Sequence, residues 1–164
     1  MIKNIAIFLA VGLALYLGVR QYLKHTVVPP FPAFEHPMTT LDEKLVNIKD
    51  SQSDYYLVSY FQTWCGDCVK EQPELLKLKQ RFGDSIAILM VSDEGIEKIT
   101  AFKARFNSQL DFYNSSKTLK SIDITRYPTT FLINKEGKTI DVRVEGINWF
   151  SNETIKTVSQ LVKE

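Results

Sequence analysis

Several features are scarce or absent in this 164-residue chain, and each shortage excludes a class of protein. The chain has only two cysteines, too few for a closed structural zinc site with four thiolate ligands. Its 20 basic and 19 acidic residues leave a formal net charge of +1, so no basic field attracts nucleic acid. No internal repeat or low-complexity tract is visible. With 45% hydrophobic and 12% aromatic residues, the composition is that of a folded domain rather than a disordered chain.

The longest apolar run lies near the N-terminus, from Ile5 to Val19. Lys3 precedes it, and Arg20 and Lys24 follow it. The run is somewhat shorter than the roughly 20 residues that span a bilayer, so snorkelling by the flanking cations is the expected adjustment. The pattern favours an uncleaved signal anchor or transmembrane helix over residues 1–25. A cleaved export signal is the alternative, although no small-x-small cleavage site follows the run, and a buried soluble helix is the least favoured interpretation.

An export-type segment places the rest of the chain outside the cytoplasm, where thiols are not kept reduced by general redox buffering. We therefore expect a single-pass membrane protein whose domain lies outside the cytoplasm, or a soluble exported protein after cleavage. Positive charge on both sides of the run leaves the positive-inside rule nearly tied. Three prolines between residues 28 and 34 indicate an extended spacer. We assign residues 26–38 to this spacer and 39–164 to one domain.

The domain alternates between strand-like and helix-like patterns. Strands are predicted at residues 55–61, 86–91, 110–113, 129–133 and 138–144, with an edge strand in 39–48, and helices from the cysteines to Phe82 and at 95–106, 118–122 and 152–162. This order predicts an α/β fold in which a central mixed sheet is flanked by helices.

Both cysteines belong to one short motif, Trp64-Cys65-Gly66-Asp67-Cys68, between a predicted strand and a predicted helix. At a helix start, unpaired backbone N–H groups and the helix dipole stabilise a thiolate, so Cys65 is predicted to be the exposed nucleophile. Cys68 shares a helix face with Leu75 and Leu78 and is predicted to be the shielded resolving thiol. These thiols carry the electrons themselves, so no bound cofactor or metal is expected.

Asp67 places a carboxylate beside the predicted nucleophile. A nearby negative charge disfavours a thiolate, so we expect a less acidic Cys65 and a more reducing couple. The alternative is that Asp67 only compensates the charge of the helix N-terminus.

Two blocks of the sequence resemble a known family. The first block, Phe61 to Leu75, contains an aromatic residue at the end of a strand, then a Trp, a Cys-x-x-Cys motif and a Glu-x-Pro-x-Leu motif. The second block, Tyr127 to Lys138, is similar to a strand that begins with a cis-proline and is followed by a hairpin. Together they resemble the thioredoxin superfamily, and more closely its membrane-tethered TlpA/ResA-like branch, over roughly Asp54 to Leu161. The resemblance implies a thioredoxin-like three-layer fold.

The resemblance also implies a substrate site. Pro128 would be cis and packed across from the cysteine pair, and the backbone next to it, at Tyr127 and Thr129, would pair with an extended stretch of substrate. Trp64 would wall one side of this groove. The alternative for Trp64 is core packing.

One departure from thioredoxin concerns proton transfer. Ser59 occupies the place where thioredoxin carries a buried aspartate that assists the resolving thiol. Glu71, three residues after Cys68, is a candidate for that role. An exposed carboxylate in the first turns of the helix is the simpler interpretation.

The function implied is that of a thiol–disulfide oxidoreductase, an enzyme that reduces protein disulfides outside the cytoplasm and is expected to be a monomer. The resemblance also implies a bacterial protein, either single-pass in the cytoplasmic (inner) membrane with its domain facing the periplasm or the cell exterior, or soluble in the periplasm after signal cleavage. A membrane electron donor of the thiol-transfer type would resupply it, and cytochrome c maturation is one plausible pathway. The alternatives are a disulfide-forming oxidase of the same fold and a non-catalytic partner- or metal-binding module. His25 and His36 are interpreted as solvent-facing, and Asp93-Glu94 as a charge pair at a helix start.

Overall fold

The computed structural model describes residues 11–19, 31, 37–48, 53–145 and 148–162. In chain order the elements are α1 (residues 11–19), β1 (Met38–Thr40), β2 (Leu45–Val46), β3 (Tyr55–Tyr60), α2 (Gly66–Phe82), β4 (Ile86–Ser92), α3 (Ile96–Arg105), β5 (Asp111–Ser115), β6 (Thr129–Asn134), β7 (Thr139–Val144) and α4 (Asn152–Leu161). Short 3₁₀-helices lie at Gly83–Ser85 and Leu119–Ile122.

The strands form one seven-stranded sheet in the order β2-β1-β5-β4-β3-β6-β7. The central strands β3, β4 and β5 run parallel, whereas β6 is antiparallel to β3 and β7 is antiparallel to β6. The mixed sheet predicted from the order of patterns is therefore confirmed. The predicted edge strand within 39–48 is in fact two short antiparallel strands, β1 and β2, because a turn at residues 41–42 interrupts it.

The sheet has an apolar core on each face, because successive side chains of a strand point to opposite sides. Along β3, Leu57 belongs to one core, and Tyr56 and Val58 belong to the other. The first core is shared with buried side chains of α2, α3 and α4, and the second with the 3₁₀-helix Leu119–Ile122. This layering leaves α2 packed along the sheet with its N-terminus at the end of β3.

Helix α2 has the ends that the sequence predicts. Cys65 is its N-cap, and Gly83 follows it with φ = +58°, a left-handed conformation that glycine adopts without steric cost. Cys68, Leu75 and Leu78 are buried on its inner face, as predicted from their spacing.

The predicted anchor and spacer lie mostly outside the described residues. In α1, residues 11–19 are helical and exposed. Among the helices that the structure describes, none has both the length and the apolar character needed to cross a membrane. Within the predicted spacer, Phe31 is buried, with its ring 5.4 Å from that of Phe131, so the folded unit includes at least this residue.

Candidate active site

The cysteine pair lies at the N-terminus of α2. Cys65 and Cys68 form a disulfide, with their Cα atoms 5.2 Å apart. The backbone N–H of Cys68 donates to Cys65 Sγ at 3.1 Å, and the Val69 N–H donates to the Cys65 carbonyl at 3.2 Å. An N–H directed at sulfur from a helix start is the arrangement that stabilises a thiolate once the disulfide is reduced.

The two sulfur-bearing residues differ in accessibility less than the sequence suggests. Cys65 is 8% exposed, so it is buried rather than exposed as predicted. Its sulfur lies 3.5 Å from the Tyr127 carbonyl oxygen. Cys68 is fully buried, which leaves Cys65 as the more accessible member of the pair.

A cis peptide bond joins Tyr127 to Pro128, as the resemblance implies. The adjoining backbone is fixed on both sides: Glu145 N–H donates to the Pro128 carbonyl at 2.9 Å, and Thr129 Oγ1 donates to the Arg126 carbonyl at 2.7 Å. The Thr129 side chain is therefore committed within the protein.

A shallow groove runs past Cys65 between the cysteine motif and the cis-proline loop. Its lining consists of Trp64, Cys65, Gly66, Asp67, Thr125, Arg126, Tyr127 and Glu145. Trp64 is 72% exposed, so the core-packing alternative is wrong. Its ring meets that of Tyr127 edge to face, with centroids 6.0 Å apart, and these two aromatic side chains form one wall of the groove.

Asp67 is half-exposed and forms an ion pair with Lys70, Nζ to Oδ1 2.8 Å. The pair joins residues three apart on the solvent side of α2, where such contacts are weak. The carboxylate lies in the first turn of the helix and also lines the groove. Both interpretations of Asp67 therefore have a structural basis.

Glu71 is 3% exposed, so its interpretation as an exposed carboxylate is wrong. Ser59 Oγ donates to its Oε2 at 3.0 Å, and Thr130 Oγ1 and the Trp149 indole N–H both donate to its Oε1. Burial raises the pKa of Glu71, and its three hydrogen-bond donors oppose that rise. Since Glu71 follows Cys68 by three residues on α2, the two side chains occupy neighbouring positions on the helix.

Asp93 and Glu94 support the loop that leads into the cysteine motif. Glu94 accepts hydrogen bonds from the Thr63 backbone N–H at 2.5 Å and from Thr63 Oγ1 at 3.1 Å. Asp93 accepts from Gln62 Nε2 at 2.6 Å and from the Leu119 N–H at 2.8 Å. The two residues do precede a helix, but their carboxylates hold this loop in place, a role that the sequence pattern did not reveal.

The remaining predictions concern metal and histidine. His25 and His36 lie outside the described residues. Within the residues that the structure describes, no cluster of three or more His, Cys, Asp or Glu side chains has metal-binding geometry.

Together, the fold and the cysteine pair define a thiol–disulfide oxidoreductase of the thioredoxin superfamily, of the TlpA/ResA-like type. The chain belongs to the Redoxin family, whose profile matches residues 27–159.

Known proteins with related sequences agree with this assignment. The thioredoxin-like protein YneN of Bacillus subtilis (strain 168) is 24% identical over 112 residues, which cover 65% of this chain and 66% of the relative. The thiol:disulfide interchange protein DsbE of Pseudomonas aeruginosa is 28% identical over 141 residues, covering 81% and 77%.

A solved structure shows the same fold. The crystal structure of a putative thiol:disulfide interchange protein DsbE from Chlorobium tepidum matches with a TM-score of 0.66 at 15% identity, covering 83% of this chain and 94% of the other.

Proposed function

We propose that this oxidoreductase reduces disulfide bonds of partner proteins outside the cytoplasm. One observation carries the proposal: Cys65 Sγ caps α2, accepts the Cys68 N–H at 3.1 Å and lies 3.5 Å from the carbonyl that precedes the cis-proline. The sulfur that is activated is thus also the one that faces the groove.

The reaction is a two-step exchange. The Cys65 thiolate attacks one sulfur of the partner's disulfide, which forms a mixed disulfide and releases the partner's other sulfur as a thiolate. The Cys68 thiol then loses its proton and attacks Cys65 Sγ, and the partner's first sulfur leaves. Two electrons pass to the partner, whose two sulfurs leave as thiolates and take protons from solvent; the Cys68 proton stays with an acceptor in the protein, and the Cys65–Cys68 disulfide remains.

The groove is suited to an extended polypeptide. The backbone at Tyr127 would pair with the residues flanking the partner's cysteine, a short form of strand addition. Trp64 would contact the partner's side chains, because its ring is exposed beside the sulfur. The Thr129 side chain is bonded to the Arg126 carbonyl, and its strand β6 is paired with β3 and β7, so Thr129 would support the cis-proline loop rather than contact substrate directly.

Glu71 is the proposed acceptor of the Cys68 proton. It is a buried carboxyl on the same helix, and its hydrogen bonds reach β3 and β6 rather than solvent. Burial raises its pKa, which moves its proton affinity toward that of a thiol and suits proton exchange between the two groups.

The reducing direction follows from what surrounds Cys65 Sγ. A strong oxidant stabilises its reduced thiolate with positive charge. Here one backbone N–H supports the sulfur, whereas the Tyr127 carbonyl and the Asp67 carboxylate of the groove both disfavour negative charge. A less stable thiolate makes the dithiol the better electron donor.

We place the domain, as a monomer, at the outer face of a bacterial cytoplasmic membrane. Supporting this location are the apolar run from Ile5 to Val19 and the exposed apolar side chains of α1. The oxidised protein would be re-reduced by a membrane electron donor of the thiol-transfer type. Cytochrome c maturation is the pathway we propose, on family resemblance.

Equilibration with defined mixtures of reduced and oxidised glutathione tests the direction. We expect a reduction potential close to the roughly −270 mV of thioredoxin. A value near the roughly −120 mV of a strong oxidant would instead support a disulfide-forming oxidase. If neither cysteine exchanges with glutathione in the folded protein, a non-catalytic binding module is the better description.

A further inference from the structure

The carboxyl of Glu71 is surrounded by donors from three separate parts of the chain. Ser59 comes from β3, Thr130 from β6 and Trp149 from the segment before α4. The two hydroxyls also contact each other, with Thr130 Oγ1 3.0 Å from Ser59 Oγ. All four side chains are buried, so the network is closed to solvent.

These donors differ in what they can do when Glu71 takes up a proton. A hydroxyl donates or accepts by rotating, whereas an indole N–H only donates. The hydroxyl oxygen of a protonated carboxyl is a poorer hydrogen-bond acceptor than its carbonyl oxygen, so the Trp149 N–H, which can only donate, favours Oε1 as the carbonyl oxygen. A proton on Oε2 would meet Ser59 Oγ, which is 3.0 Å away and can accept.

We propose that Trp149 is a positioning residue for the proton transfer of the proposed function: its indole N–H holds Oε1 of Glu71, so that the proton is carried on Oε2 beside Ser59. When Oε2 is protonated, it donates to Ser59. Ser59 then donates to Thr130, and Thr130 continues to donate to Oε1. The network thus changes state by rotation of the Ser59 hydroxyl, without movement of heavy atoms.

The indole is itself held in place. Trp149 is 1% exposed, and the Arg143 guanidinium lies over its ring, with Cζ 4.7 Å from the centroid. Arg143 in turn donates to Asp141 at 2.8 Å and to Thr154 Oγ1 at 2.7 Å. The Ser151 side chain caps α4 through the Thr154 N–H, so the indole is fixed from β7 and from α4.

The surroundings of Glu71 contain few other ionisable groups. On α2, the neighbouring helical positions are the Cys68 thiol, which titrates only when reduced, and Asp67 and Glu74, each within 3.1 Å of a lysine. From β3 and β6 the hydroxyls face the carboxyl. Beyond the indole lies Arg143, which is already paired. Of the three groups that donate to Glu71, the Trp149 N–H is the one that cannot reverse its hydrogen bond, so it favours the ionised carboxyl.

The test is an NMR titration of the Glu71 side-chain carboxyl carbon in the oxidised full-length protein. We expect Trp149→Phe, which keeps an aromatic ring and removes the N–H, to move the midpoint upward by roughly one pH unit, the size expected for one lost hydrogen bond to a charged group. The matched control is Trp64→Phe, the same substitution at the tryptophan that is 72% exposed in the groove. The control should leave the midpoint in place.

A second measurement needs no variant and so does not depend on the folding of Trp149→Phe. The chain has two tryptophans, hence two indole N–H resonances. The Trp149 resonance should titrate with the same midpoint as the Glu71 carboxyl, whereas that of the exposed Trp64 should not follow it.

The positioning role would be overturned if the Glu71 midpoint were unchanged in Trp149→Phe. It would also be overturned if the chemical shift of the Trp149 indole N–H did not change at the Glu71 midpoint. Neither result depends on whether the enzyme reduces or oxidises its partners. If the indole follows Glu71 but no thiol exchange occurs, the proposed function fails and the hydrogen-bond assignment stands.

Discussion

Glutamine at position 71 provides a direct test of the buried carboxyl. In Glu71→Gln, the amide oxygen can accept from Thr130 and Trp149 as Oε1 does now, and the amide N–H can donate to Ser59 Oγ. The side chain keeps its shape and its three contacts, and loses only the capacity to become charged. The variant therefore mimics the protonated state of Glu71 at every pH.

The expected effect follows from the raised pKa of Glu71, which burial causes. Between the ordinary value of 4.5 and the higher folded value, the native state holds a proton that the unfolded chain has released. The free energy of unfolding contributed by Glu71 is therefore fully present below pH 4.5, is lost as the pH rises through the folded pKa, and is level above it. The steepest possible slope for this one proton is about 1.4 kcal/mol per pH unit.

Urea unfolding of the oxidised protein and of Glu71→Gln, at half-unit steps from pH 4 to 8, measures this contribution. The difference between the two free energies of unfolding isolates Glu71, because all other groups titrate in both proteins. We predict that the variant gains stability relative to the parent as the pH rises and is the more stable protein at neutral pH. A difference that stays constant with pH, or that favours the parent at neutral pH, would refute the account of Glu71.

Two further predictions concern the loop and the groove. Glu94→Ala removes the acceptor of the Thr63 backbone N–H, so we expect the free energy of unfolding to fall by roughly 1–3 kcal/mol in urea unfolding, and the turnover of disulfide reduction to slow. The control, Glu97→Ala at the exposed start of α3, should change neither quantity. Equal effects of both variants would contradict the supporting role of Glu94. Trp64→Ala should change the free energy of unfolding by less than about 0.5 kcal/mol and raise KM for a protein substrate. Leu45, on the far edge of the sheet, is equally exposed at 72%, so Leu45→Ala should leave KM unchanged. An unaltered KM in Trp64→Ala would show that Trp64 is not part of the substrate site.

Local sequence signals were sufficient where the structure depends on neighbours in the chain. The start of α2 was predictable from the cysteine motif that follows β3, and its end from the glycine at position 83. The face of α2 that is buried was predictable from the spacing of Cys68, Leu75 and Leu78. The short strands β1 and β2 were not separated in the prediction, because two or three residues carry too little pattern.

Contacts between distant parts of the chain were the ones that sequence reasoning missed. The burial of Glu71 depends on hydroxyl and indole donors 12, 59 and 78 residues away, and no local pattern announces them. The hydrogen bonds of Asp93 and Glu94 likewise span 26 to 31 residues. The cis form of Pro128 was predicted by resemblance alone, because only about 5–6% of such bonds are cis in folded proteins.

The central claim is that Cys65 attacks a partner's disulfide and Cys68 resolves the product. Mass spectrometry of reduced Cys68→Ser and Cys65→Ser, each mixed with a disulfide-containing protein under native conditions, tests it most directly. The account predicts a stable mixed disulfide through Cys65 in the first variant and little or none in the second, whose remaining sulfur is fully buried. Adducts formed equally by both variants, or by the second alone, would contradict it.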